Sequence, residues 1–253
     1  MKDQQWFRTW PDLYAPQPHN TPDARLAVTN VPALMRDWSF ATFPSALLAE
    51  PSILSAYETV RAWAETATPR CRGLVLTGSP GCGKTGLIVS ALQARASAGD
   101  GDHAAWNDVT HPNVRRLVRE GARPRLAPCW FSSWEEMAAL LHYAMQSGDR
   151  QLYHDESPRL SLWKVWGQIN ARVSLLALDE CDVDRLSPLK EQRLLDWTMR
   201  PKEGERLLMT LNHPLDSKRS LARLGERVTD RLFDSQHFIV LPISGPSARR
   251  LSA

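Results

Sequence analysis

The stretch LVLTGSPGCGKTGLI, residues 74–88, joins two apolar runs through a glycine-rich loop that ends in a lysine and a threonine. The first run, GLVLTG, is short and apolar on both faces, as a strand of a parallel sheet covered on both sides has to be. The second runs from Lys84 to about Ser97, with Leu87, Ile88, Ala91 and Leu92 at helical spacing. Between them, Gly78-Ser79-Pro80-Gly81-Cys82-Gly83-Lys84-Thr85 has the form G-x-x-x-x-G-K-T. Its glycines let the chain curl until successive backbone N–H groups converge on anionic oxygens. The helix that follows adds the partial positive charge of its N-terminus. Lys84 is expected to reach the β- and γ-phosphates of a bound nucleotide, and Thr85 to offer its hydroxyl to Mg2+. A chance glycine loop would lack the buried strand before it and the amphipathic helix after it.

Working outward, the pattern alternates. CWFSS (129–133), VSLLALDE (173–180), ERLLMTLN (205–212) and HFIVLPI (237–243) read as further strands. WEEMAALLHYAMQ, LSLWKVWGQIN, PLKEQRLLDWTMR and LGERVTDRLFD read as helices, and a helix before the loop carries Ile53, Tyr57, Val60 and Ala64 on one face. Strand alternating with helix predicts right-handed crossovers and an α/β fold: a mostly parallel five-stranded sheet between helical layers. Ligands of such sheets bind beyond the carboxyl ends of the strands, where the loop sits.

Two regions depart from the pattern. Residues 1–38 are rich in Pro and Trp and read as an irregular N-terminal arm. Residues 98–127 are polar and turn-rich, and carry Arg115, Arg116, Arg119, Arg123 and Arg125 with a single glutamate among them. That insertion reads either as a solvated charged loop or as a contact for the phosphates of DNA.

Composition narrows the setting. The net charge of +3 is too mild to imply a nucleic-acid partner by itself, and 43% apolar residues are ordinary for a globular chain. The four cysteines form no CxxC pair, which argues for reduced thiols in a cytoplasmic protein rather than a zinc site or a disulfide framework. The N-terminus has no apolar secretion signal, and runs such as SLLAL are too short to cross a bilayer, so no membrane partner is expected. Ten tryptophans fit core and interface packing, with base stacking as the other use.

The second half of the site is LLALDE, which carries Asp179 and Glu180 off the end of a buried strand. Asp179 suits a carboxylate that holds Mg2+ through its waters. Glu180 suits a base for an attacking water, so hydrolysis is favoured over transfer to another acceptor. The other reading is an ordinary solvated acid pair. Asn212, ending the next strand, can fix that water or simply cap a loop. Arg227 and Arg231 lie four apart on one helix. They pair with Glu226 and Asp230, or one of them reaches a neighbouring subunit's γ-phosphate. Arg249 near the chain end can return to the phosphates.

Together these motifs resemble the AAA+ ATPases of the DnaC/DnaI helicase-loader and IstB transposition-helper group, from about Phe40 to Arg249. The resemblance rests on GSPGCGKT, LLALDE, the strand ending in Asn212, LGERVTDRL and the terminal GPSAR. It implies a P-loop AAA+ domain over 39–253 with no full C-terminal lid, binding ATP and Mg2+. Asn212 would be sensor 1, Arg231 or Arg227 the arginine finger, and Arg249 sensor 2. The segment FATFP would place Phe43 near the adenine. The resemblance further implies a homo-oligomer with shared ATP sites, contact with DNA, often single-stranded, and a replicative helicase as partner. The alternatives are an IstB-like helper that delivers a transposase, a P-loop small-molecule kinase, and a scaffold that barely hydrolyses. The insertion and the arm depart from the group and leave the partner open.

Overall fold

Apolar runs alternate with helices along the chain, and the computed structural model shows how they assemble. It describes residues 31–66, 69–98, 129–138, 175–183, 185–202 and 205–247. The expected helix LSLWKVWGQIN, most of the arm, nearly all of the insertion and Arg249 lie outside them.

A 3-10 turn at Ala33–Met35 leads to α1 (Ser45–Leu48) and α2 (Pro51–Glu65). Then come β1 (Gly73–Gly78), α3 (Lys84–Ala98), β2 (Cys129–Ser133), β3 (Leu175–Asp179), α4 (Pro188–Trp197), β4 (Arg206–Leu211), α5 (Lys218–Leu224), α6 (Glu226–Leu232) and β5 (Phe238–Ile243). After β2 the chain turns helical at 134–138. Ser133 and Glu136 start that turn by capping each other's backbone N–H, at 3.2 and 3.1 Å. Pro at the first position starts α2 and α4, and Ser187 caps α4.

All five strands run parallel in the order β2-β3-β4-β1-β5. Every residue of β3 and β4 is buried, as two-sided covering requires. Alternate side chains enter two separate cores. Leu74, Leu76, Phe131, Ala177 and Leu208 pack with α2 and α3, whereas Val75, Trp130, Leu176, Leu178 and Met209 pack with α4, α5 and α6. The result is the three-layer sandwich expected from the alternation.

Two features differ from the sequence reading. Helix α5 was not expected: its run LDSKRSLARL is short and polar, yet Ser217 caps it by accepting from the Ser220 N–H at 3.1 Å. Gly225 then ends α5 at φ +83°, ψ 159°, a conformation closed to side chains, and α6, the helix expected in LGERVTDRLFD, begins at Glu226. Second, the end of the arm is packed: Val31 is buried, and Met35 and Trp38 lie against the α2–α3 core.

The strand order decides where the chemistry can occur. β4 lies between the strand of the glycine loop and the strand of the acid pair. Its register sets Leu211 beside Thr77 of β1 and Met209 beside Leu178 of β3. Three loops therefore leave the same carboxyl edge side by side.

Candidate nucleotide-binding site

The glycine loop is built from backbone positions only glycine tolerates. Gly81 and Gly83 sit at φ +86° and +95°. A side chain on Gly81 would collide with Ser247, and one on Gly83 would press on Phe43 at 3.1 Å. The loop is thus clasped from both sides. Ser79 and Pro80 at its tip are exposed, while Cys82 and Gly83 are buried. The Lys84 ammonium is nearly buried and donates to the carbonyls of Gly78 and Ser79 at 2.6 and 2.9 Å. A buried cation held only by neutral carbonyls is poised for an anion. The first N–H groups of α3 have no acceptor within the helix and face the same region.

Residues 94 apart in sequence meet here. Thr85 Oγ1 donates to Asp179 Oδ2 at 2.8 Å. The other Asp179 oxygen accepts from the Thr210 hydroxyl, and that hydroxyl accepts from the Glu180 N–H at 2.8 Å. Thr210 also takes the Cys181 N–H on its carbonyl at 3.0 Å. These bonds hold Glu180 at φ +58°, a left-handed conformation costing a glutamate about 1–2 kcal/mol. Glu180 is exposed beside a cleft whose lining includes Ser133, Trp134, Arg185 and Lys190. Cys181, by contrast, is inert: burial and the neighbouring carboxylates of Asp179, Asp182 and Glu180 push its thiol well above the ordinary range.

Asn212 is half-buried, one residue beyond β4, on the edge shared with Thr85 and Asp179. The sequence reading missed three of its neighbours. Asp182 is fully buried and accepts from the Asn212 N–H at 2.7 Å, the His213 N–H at 3.0 Å and His213 Nδ1 at 2.8 Å. Thr210 is equally buried. The spacing D-E-x-D was the available signal for Asp182, but a third acid after a strand reads as solvent-facing until β4 is known to cover it.

The arginines of α6 are elsewhere. Val228 and Leu232 anchor that helix in the core opposite α3. Arg227 is exposed and reaches Gln192 of α4 at 3.3 Å, and the Arg231 guanidinium has no polar partner among the described residues. The salt bridges to Glu226 and Asp230 allowed by the sequence are not formed. Phe43 is buried against Gly83 and Gly86, its ring 5.6 Å from that of Tyr57, so it packs under the loop. The residues before Arg249 do reach the site: Ser247 lies on Gly81, and Ser52 tethers Ser244 through its N–H at 3.0 Å.

The donor set suits Mg2+: a hydroxyl and a carboxylate already in contact, both hard oxygens. Among the described residues no cluster of three acidic, His or Cys side chains could hold a metal alone. This matches an ion that takes one or two protein ligands and completes its shell with phosphates and water.

A parallel sheet with a glycine loop on one strand, an acid pair two strands away and a polar strand end between them is the architecture of a P-loop fold. The arrangement is that of the AAA+ fold. The chain is similar to the crystal structure of the DnaC helicase loader, with 21% identity and a TM-score of 0.53, covering 84% of this chain and 100% of that one. It is similar to DnaI, with 16% identity, a TM-score of 0.51, and 88% and 98% of the two chains covered. It is also similar to AMPPCP-bound DnaA from Aquifex aeolicus, with 15% identity, a TM-score of 0.53, and 84% of this chain on 52% of that one. At these identities the likeness is one of fold. No family model and no curated protein matches the sequence.

Proposed function

We propose that this chain is an ATP-hydrolysing, DNA-associated ATPase that loads a replicative helicase, working as an oligomer that switches on hydrolysis. The observation that carries the reading is the Thr85–Asp179 contact of 2.8 Å, which joins the two halves of a nucleotide site on a sheet shared with a helicase loader over 84% of the chain.

In this reading the loop N–H groups and Lys84 bind the phosphates of ATP, with Lys84 exchanging loop carbonyls for anionic oxygens. Thr85 and Asp179 would hold Mg2+, which screens the charge of the phosphates. Glu180 takes the proton of an attacking water, and Asn212 orients that water. Arg231 or Arg227, on a helix packed in the core opposite α3, is offered to a neighbour's γ-phosphate. Arg249 would serve as the second sensor. The arginines of 98–127 take the phosphates of single-stranded DNA.

The test is a pull-down of the Glu180→Gln protein with ATP, identifying protein and nucleic acid together. A replicative helicase recovered with DNA supports the proposal, and a transposase in its place supports a transposition helper. If Glu180→Gln with ATP binds DNA no better than the nucleotide-free protein, the switch fails. A monomer that turns over ATP without an arginine from a second copy would point to a small-molecule kinase.

A further inference from the structure

One buried carboxylate has no part in the reading above. Asp182 is 0% exposed and sits three residues past Asp179. A buried carboxylate persists only where donors replace its water. Asp182 has three, all from two consecutive residues of the opposite strand end. Oδ1 accepts from the Asn212 N–H at 2.7 Å. Oδ2 accepts from the His213 N–H at 3.0 Å and from His213 Nδ1 at 2.8 Å.

Because a carboxylate only accepts, Nδ1 must carry the imidazole proton. The other ring nitrogen, Nε2, then faces Arg219 at 3.5 Å. The main chain of Asp182 is held too: its carbonyl accepts from Arg223 of α5. The residue is fixed from the strand end on one side and from α5 on the other.

These bonds begin where the sheet ladder ends. The β3–β4 register stops at Leu178 and Met209. Beyond it, Thr210 takes the N–H groups of Glu180 and Cys181, and Asp182 takes those of Asn212 and His213. The two loops are thus pinned reciprocally, each supplying the acceptors for the other. Glu180 and Asn212 both lie inside that clip.

We propose that Asp182 is a positioning residue for ATP hydrolysis, which sets Asn212 against Glu180 by gripping the backbone of residues 212 and 213. It touches neither nucleotide nor metal; it acts through Asn212. The inference rests on the ATPase reading and names the group that aligns its catalytic pair. Misplacement of a reacting group by about 1 Å can cost on the order of 100-fold in rate. Asp182→Asn keeps the shape of the side chain but turns one acceptor into a donor facing an N–H.

The experiment compares wild type, Asp182→Asn, Asn212→Ala and the double variant for ATP turnover and for affinity toward a fluorescent ATP analogue. Asp182→Asn is expected to lower kcat about 10- to 100-fold with nucleotide Kd within about 3-fold of wild type. In the Asn212→Ala background it should cost almost nothing more, because the group it aligns is gone. The Asn212 amide proton should also move upfield in 15N-resolved NMR spectra. A kcat for Asp182→Asn within 2-fold of wild type, or losses that multiply in the double variant, overturns the proposal. If Asp182→Asn does not fold, Asp182→Glu decides, since it keeps the charge but shifts the acceptors of both backbone N–H groups by one methylene: a several-fold fall in kcat at unchanged Kd supports the proposal, and an unchanged kcat overturns it. A wild-type protein that binds no ATP, or never hydrolyses it, removes the ATPase reading and this inference together. An active wild type with an indifferent Asp182 removes this inference alone.

Discussion

Thr85, Asp179 and Thr210 satisfy one another at the carboxyl edge of the sheet, and Lys84 is sheltered against its own loop. On α6, in the opposite helical layer, the Arg231 guanidinium meets no polar group among the described residues, although Glu226 and Asp230 are close in sequence. Both regions carry charge, and they manage it in opposite ways. At the edge the charged and polar groups are paired with one another and with loop carbonyls. The helix presents a cation with no polar partner among the described residues, available to a second copy of the chain. That contrast is the physical basis for reading the site as shared between subunits.

The largest effect expected follows from that contrast. Arg231→Ala should lower ATP turnover on the order of 1,000-fold while leaving nucleotide binding intact, as for an arginine finger. Mixing it with Glu180→Gln should restore activity, because each supplies what the other lacks. Mixed assemblies without any recovery would break the comparison, and recovery with Arg227→Ala instead would move the finger one turn along α6. Next, Glu180→Gln alone should lower kcat by about 100- to 1,000-fold, with Kd for ATP changed little. Equal losses in kcat and affinity would mean that Glu180 binds rather than reacts.

A smaller effect tests the finished edge as a folding element. Thr210→Val removes the hydroxyl that donates to Asp179 and accepts from the Glu180 N–H. It should cost about 1–3 kcal/mol, a fall in Tm of several degrees measured by calorimetry. Arg227→Ala, on an exposed position, should change stability by no more than about 0.5 kcal/mol.

Cys181 adds a pH test. Its thiol pKa is raised above 9.0 by burial and the nearby carboxylates. The unfolded chain therefore loses this proton first as pH rises. Stability from this group is intact below that value and falls above it, by up to about 1.4 kcal/mol per pH unit. Thiol labelling at pH 9 should accordingly leave Cys181 unmodified until denaturant is added.

The nucleotide edge was legible in the sequence to different depths. GSPGCGKT and LLALDE name their own chemistry, because a phosphate loop needs glycine at fixed φ and an acid pair needs a strand end. Asn212 could be placed from the same logic once the strands were counted in order. Asp182 could not. It sits in the charge-rich run DECDVDR, and only the descent of β4 over the turn buries it and turns Asn212 and His213 into its donors. The motif FATFP put Phe43 near the base only by resemblance; the structure adds that its ring lies under Gly83 and Gly86, where the glycines leave room for it. Helix α5 escaped notice because a seven-residue polar run carries too little periodicity, and its cap and its packing decide it.

The sequence by itself determined the strand-helix alternation, the phosphate loop and the identity of the acids. These are local properties, set by side-chain period, glycine conformational freedom and ionic charge within a few residues. Only the tertiary structure decided which strand lies between β1 and β3, and so which side chains meet. Contacts such as Thr85 with Asp179 or Asp182 with Asn212 join segments far apart in the chain, and a parallel sheet sets their register through packing and hydrogen bonds that no single segment contains.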